Sequence, residues 1–210
     1  MLTESRSVSG RQKHRTSFSM LLKKYGGRKM KKFSVKTIVA IGIGAALFFV
    51  LGYFVKVPSP VPNTSISVQY GLLAFIAAVY GPLAGALVGF IGHALIDMAS
   101  YGPWWSWITA SAVFGLLMGF GCKKLNLEEG KIGKKEIVTF NVAQLIAHAI
   151  CWGAVAPVLD IWWYSEPVEK LFAQGLVAGI ANAVTTAIVG TLLCVAYSST
   201  KTKAGSLTKE

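Results

Sequence analysis

Acidic side chains are scarce in this chain, nine among 210 residues against 21 Lys and Arg, for a formal charge of +12. Charge of either sign is also thin, at 14% of residues, while 53% are hydrophobic. A water-soluble domain of this size could not hide that apolar surplus in a single core, so lipid has to cover it. The basic excess does not read as a nucleic-acid surface, because Lys and Arg flank apolar segments and are not interleaved with aromatics. Attraction to a membrane surface accounts for it better. Cys122, Cys151 and Cys194 have no CxxC spacing and lie in or at the end of apolar segments, which argues against a disulfide or zinc set and for small packing residues. No Walker A loop is present, so the chain cannot power transport with ATP by itself. No GxSxG, HExxH or intramembrane carboxylate pair offers a hydrolytic catalyst, so the chain is not expected to be an enzyme, and nothing in it asks for a cofactor or metal. An internal repeat of the kind many secondary transporters show is missing too.

What is present is a succession of apolar segments. A helix rises about 1.5 Å per residue, so about 20 apolar residues cross a hydrocarbon core roughly 30 Å thick. The first such segment runs from Ser34 to Val55, and Pro58, Pro60 and Pro62 then force an extended loop. That loop ends in Asn63, Thr64 and Ser65, good cap chemistry for a following helix. From Ile66 to Ala99 the apolar run would make a helix about 51 Å long, too long for one span. Gly81-Pro82 supplies the break, giving a short second span to Tyr80 and a third from Pro82 to Ala99. A fourth span is expected over Ser106 to Cys122, a fifth over Glu136 to Leu159 and a sixth over Lys170 to Tyr197, with Asp160 to Glu169 as a Trp-rich loop.

An even number of spans sorts the basic residues. Eleven Lys and Arg in the first 36 residues, five Lys in 123–135 and three in the tail fall on one side, with only Lys56 and Lys170 on the other. Basic residues accumulate on the cytoplasmic side, so both termini are expected there, in a multi-pass protein of the bacterial cytoplasmic membrane. The chain then divides into a basic, disordered cytoplasmic segment 1–32, an all-α six-helix transmembrane bundle 33–198 and a cytoplasmic tail 199–210. The first 29 residues lack the apolar core and cleavage site of a signal peptide, and Met1, Met20 and Met30 all remain open as the start.

Polar residues inside the spans are the candidate site. In the third span Gly81, Gly85 and Gly89 recur at four-residue spacing, and the series continues to His93 and Asp97. The inner half of that face suits close helix packing, and the outer half carries an ionisable pair that either serves function or pins the helix to its neighbours. In the fifth span Asn141, Gln144, His148 and Trp152 share a face, and in the sixth Gln174 and Asn182 do. Facing lipid they would be costly, so these rows point into the bundle, as ligand contacts or as interhelical hydrogen bonds. With Asn63, Tyr101, Trp104, Trp105, Trp162 and Trp163 in the outer loops, the set suits a flat heteroaromatic ligand, indoles stacking on it and amide, imidazole and carboxylate groups bonding its edge. The substrate-binding candidates are Asn63, His93, Asp97, Trp104, His148, Trp152 and Asn182. A stand-alone secondary carrier or proton-coupled channel, with His93 and Asp97 as its relay, is the alternative, and a membrane scaffold is a third. Small-residue pairs, Ala40 with Gly44 and Gly42 with Ala46, line the first span.

Two stretches, VPNTSISVQYG at 61–71 and YGPLAGALVGFIGHALIDMASYGPWWSW at 80–107, resemble the S components of energy-coupling factor (ECF) transporters, in particular an uncharacterised vitamin-type subgroup. The resemblance covers about residues 30–197. It implies a six-helix subunit that captures a vitamin or precursor from outside for an ABC-type importer, with hydroxymethylpyrimidine, pyridoxine or riboflavin as ligand. The resemblance also implies partners, a transmembrane coupling protein and two cytoplasmic ATPases, and a toppling motion that releases the cargo inward. The family's AxxxA contact with the coupling protein corresponds here to Ala40 and Gly44.

Overall fold

The computed structural model describes residues 33–62, 64–125, 127–130 and 132–201. The 1–32 segment with its three candidate starts, Asn63, and the tail beyond Lys201 lie outside the described residues.

Six helices, among the described residues, make up the bundle. α1 (Val35–Phe54) buries one face, Ile41, Gly44, Ala45, Phe48 and Gly52, and leaves Ile38, Val39, Ile43, Leu47 and Val50 exposed. An apolar exposed face opposite an apolar buried one is what lipid, rather than water, permits. α2 (Gln69–Tyr80) is buried almost all round and packs against α1, α3 and α4, which makes it the central helix. Gly81, at φ 90°, ends it, and Pro82 opens α3 (Pro82–Ser100). α3 lies close along α4 (Trp105–Gly121). A Cβ on Gly85 would meet the Ala77 side chain and the Gly115 carbonyl oxygen, each at 2.6 Å, and a Cβ on Gly89 would run into the Ser111 carbonyl. The glycine series therefore lets two backbones touch.

The last two helices are long. α5 (Lys134–Tyr164, 31 residues) and α6 (Val168–Ser199, 32 residues) would each reach about 46 Å or more. Each is interrupted by one π-helical segment, Cys151–Val155 and Thr186–Gly190. In α5 the cause is at hand: Pro157 lacks the N–H that the ladder needs, and a widened turn just before it relieves the clash of its ring. Each bulge packs on the other helix: a Cβ on Gly175 of α6 would strike the Trp152 carbonyl, and Thr186 Oγ1 lies 3.1 Å from His148 of α5.

Three boundaries differ from the sequence expectation. The proline loop is not merely extended but forms a hairpin, β1 (Lys56–Pro58) paired antiparallel with β2 (Ser65–Ser67). Its second strand takes Ile66 and Ser67, so α2 starts at Gln69, whose N–H donates to Ser67 Oγ at 3.3 Å, and not at the Asn63 to Ser65 cap. Asp160 to Tyr164 is helix rather than loop, because Pro157 restarts the helix and the turn comes only at Ser165, in the left-handed region at φ 53°. Four helices, α1, α3, α5 and α6, are long and apolar enough to cross a membrane. α2, with 12 residues, and α4, with 17, are about 18 and 26 Å long, shorter than the roughly 30 Å core.

Candidate functional site

A cavity of about 590 Å³ opens at one end of the bundle. The hairpin residues Pro58, Ser59, Val61, Pro62 and Thr64 roof it, and the starts of α2, α4 and α6 and the ends of α3 and α5 supply its walls. Of the candidates, His93, Asp97, Trp104 and Asn182 line it. Asn63 falls outside the described residues, although its neighbours Pro62 and Thr64 line the cavity.

His93 and Asp97 fall one turn apart on α3 with Nε2 and Oδ1 3.5 Å from each other. The other ring nitrogen, Nδ1, lies 2.5 Å from Ser111 Oγ, and that hydroxyl sits 2.7 Å from the Tyr70 phenol. Asp97 in turn accepts from the Trp104 backbone N–H at 2.9 Å and the Tyr101 hydroxyl at 3.3 Å. The α3–α4 junction is therefore held by the Asp97 carboxylate as much as by its aromatic residues.

A second carboxylate, Asp160, completes the wall. It is 1% exposed and accepts from Trp104 Nε1 at 2.6 Å, Trp107 Nε1 at 2.7 Å and the Ser106 hydroxyl. Trp104 thus bridges the two carboxylates, its backbone N–H on Asp97 and its indole on Asp160, while its ring packs on Tyr164 with centroids 4.5 Å apart. The sequence reading missed Asp160, Trp107 and Tyr70. A signal for Asp160 existed: Gln144, His148 and Trp152 step by four, and the step carries on through Ala156 to Asp160 once α5 is allowed to run past Leu159. Trp104→Phe keeps the packing but removes one of the three donors to the buried Asp160 carboxylate, leaving Oδ1 with the Ser106 hydroxyl alone, so it is expected to destabilise the protein by about 1–3 kcal/mol, read as a lower melting temperature in detergent.

His148 and Trp152 are each 1% exposed and lie beneath the cavity, not on its surface. Trp152 Nε1 donates to His148 Nδ1 at 2.9 Å, and His148 Nε2 lies 3.1 Å from Thr186 Oγ1. The Trp152 ring packs against Trp107 at 5.2 Å and Tyr70 at 5.3 Å, both of which do line the cavity. These two form its floor. One turn below, Gln144 is buried with neither amide atom hydrogen-bonded among the described residues.

Asn182 is the converse case. It is 5% exposed, lines the cavity, and its amide makes no hydrogen bond among the described residues. A nearly buried amide left without a partner calls for one. Gln174, on the same face of α6, instead donates to the Pro62 carbonyl at 2.8 Å and ties down the roof.

The small residues of α1 divide between the two faces of the helix. Gly44 faces inward, where a Cβ would be 3.1 Å from Val88 and crowd Ile76, and Ala40 is half-buried. Gly42 and Ala46 are the exposed pair, with nothing within 4 Å of a Cβ at Gly42.

Comparison with known proteins agrees with this architecture. Residues 32–199 match the family described as the ECF-type riboflavin transporter, S component. A UPF0397 protein of Lactococcus lactis subsp. cremoris is 52% identical over 185 residues, covering 88% of this chain and 98% of the relative. UPF0397 proteins of Lacticaseibacillus casei and Streptococcus pneumoniae are 46% and 52% identical over 184 and 180 residues. With the match running through all six helices, the chain is a multi-pass membrane protein that belongs to the S-component family of ECF-type transporters, a family of transport subunits and not of enzymes.

Proposed function

We propose that this chain is the substrate receptor of an ATP-driven importer in the bacterial cell membrane, taking up a small heteroaromatic vitamin or precursor from outside. The observation that carries the reading is the roofed cavity, in which indole and phenol faces surround the unpartnered Asn182 amide. Its volume lies in the range of sites that enclose a small organic molecule. Hydroxymethylpyrimidine and pyridoxine lead as ligands, because the polar set is compact, and riboflavin, named in the family's description, is the third.

In this reading all six helices cross the membrane, α2 and α4 doing so within a locally thinned or protein-lined layer. Both ends of the chain are cytoplasmic. The Lys-rich connection between α4 and α5 lies at the opposite end from the cavity, which fits an outward-opening site. A coupling protein would dock on α1 through the exposed Gly42 and Ala46 pair, and two ATPases would drive the cycle from the cytoplasm.

The chain of contacts from Asp97 through His93 and Ser111 to Tyr70 gives a stand-alone proton-coupled carrier its best footing. One experiment separates the two. In proteoliposomes, uptake of a vitamin that thermally stabilises the purified chain is expected only when coupling protein, ATPases and ATP are all present. Uptake by the chain alone, abolished in Asp97→Asn, would establish the carrier instead.

A further inference from the structure

The charge inside the cavity is unbalanced, and the imbalance bears on the class of ligand. Asp97 and Asp160 are 0% and 1% exposed, and every hydrogen bond that reaches them comes from a neutral indole, hydroxyl or backbone N–H. Among the described residues His93 is the one titratable base within reach of either, at 3.5 Å from Asp97. Even a protonated His93 neutralises one carboxylate and leaves the other. Of the two lysines that line the cavity, Lys170 pairs with Glu166 at 2.7 Å, and Lys56, exposed over the Tyr53 ring at 5.3 Å, keeps its charge at the solvent side and bonds neither aspartate. Glu166 lines the same rim and cancels Lys170.

An isolated buried carboxylate is expensive in a low-dielectric setting, but here both oxygens of Asp97 and both of Asp160 accept hydrogen bonds, and the two groups lining one cavity give it a negative potential. Three donors on Asp160 and two on Asp97 leave lone pairs open on both, since a carboxylate offers about four acceptor sites. The two indoles that donate to Asp160, Trp104 and Trp107, also line the cavity, and indole rings attract cations. The unpartnered Asn182 amide lines the same cavity, able to donate to or accept from the polar edge of a ring.

We infer that the ligand is a flat heteroaromatic cation, carrying its positive charge on a ring nitrogen or an aminomethyl arm and setting it beside the Asp97–Trp104–Asp160 wall. This rests on the receptor reading above and narrows it. A neutral vitamin would leave at least one buried carboxylate without a counter-charge in the loaded state, and an anionic one would meet repulsion.

The test uses pairs of near-identical probes that differ in one charge. Aminomethyl- and hydroxymethyl-4-amino-2-methylpyrimidine form one pair, and pyridoxamine and pyridoxine the other, each titrated calorimetrically into the full chain in nanodiscs at neutral pH. The cationic member of at least one pair is expected to bind about 10-fold more tightly or better. Asp160→Asn should shrink that preference to within about 3-fold, and Asp97→Asn provides the same readout if the first variant does not fold. Asn182→Ala should weaken both members of the binding pair by a similar factor. Equal binding within each pair, or a preference for the neutral member or for riboflavin, overturns the cation assignment and leaves the receptor reading standing. If none of these probes nor any other vitamin binds, the receptor reading and the assignment fall together.

Discussion

Gly115→Leu is expected to abolish folded protein, and Gly115→Ala to lower stability by about 1–3 kcal/mol. A Cβ at Gly115 would run into the Gly85 carbonyl and come within 2.8 Å of the Ala86 backbone nitrogen. Both obstacles are backbone, so no rotamer change can clear them and α3 and α4 would have to separate. That separation would spread to Gly119, packed on Pro82, and to Gly89, packed on Ser111, and so to the hydroxyl that holds His93 and Tyr70. Gly42→Ala is the control. With nothing near its Cβ and an exposed helical position, it should keep or raise the melting temperature, because alanine favours helix over glycine by about 1 kcal/mol. Monodisperse yield on size exclusion and thermal melts in one detergent would show the contrast. A Gly115→Leu protein that melts like wild type would mean that the α3–α4 crossing is wrong.

The close-packed face of α3 was legible in the sequence, without its partner α4, because it depends on local features. Glycines at 81, 85 and 89 mark one helical face, and Gly81-Pro82 combines a residue at ease with positive φ and one that opens helices. The polar rows on α5 and α6 were legible for a similar reason, since period alone sorts residues onto faces. What periodicity does not carry is depth and partner. His148 and Asn182 look alike as lone polar residues in apolar helices, yet one is locked in the floor and the other left open to the cavity. Asp160 was hidden by a boundary: ending the helix at the first charged residue is reasonable for a span meeting water, but three neutral donors from α4 and the turn before it hold this carboxylate inside. The π segments could not be foreseen either, because Pro157 announces a disturbance without saying whether it kinks, ends or widens the helix. The hairpin depends on pairing between residues about ten apart, which no helical or strand periodicity across three prolines encodes.

The different placements of His148 and Asn182 predict opposite phenotypes for two similar substitutions. His148→Ala removes a ring stacked on Phe114 at 4.2 Å and leaves both Trp152 Nε1 and Thr186 Oγ1 without their partner. Cavity formation and two stranded polar groups together are expected to cost about 2–5 kcal/mol of stability, with any loss of binding following from a displaced Trp152. Asn182→Ala strands nothing among the described residues, so its melting temperature without ligand should stay near that of wild type. Its binding should fall by about 10-fold, the worth of one well-placed hydrogen bond in a desolvated site. Thermal melts with and without a vitamin that stabilises wild type measure both effects in one experiment. The reverse pattern, an unchanged melt for His148→Ala with impaired binding and a destabilised Asn182→Ala, would move the ligand down to the level of the two π segments. The Gln144 amide, unpartnered one turn below His148, would then become the next polar group in its path.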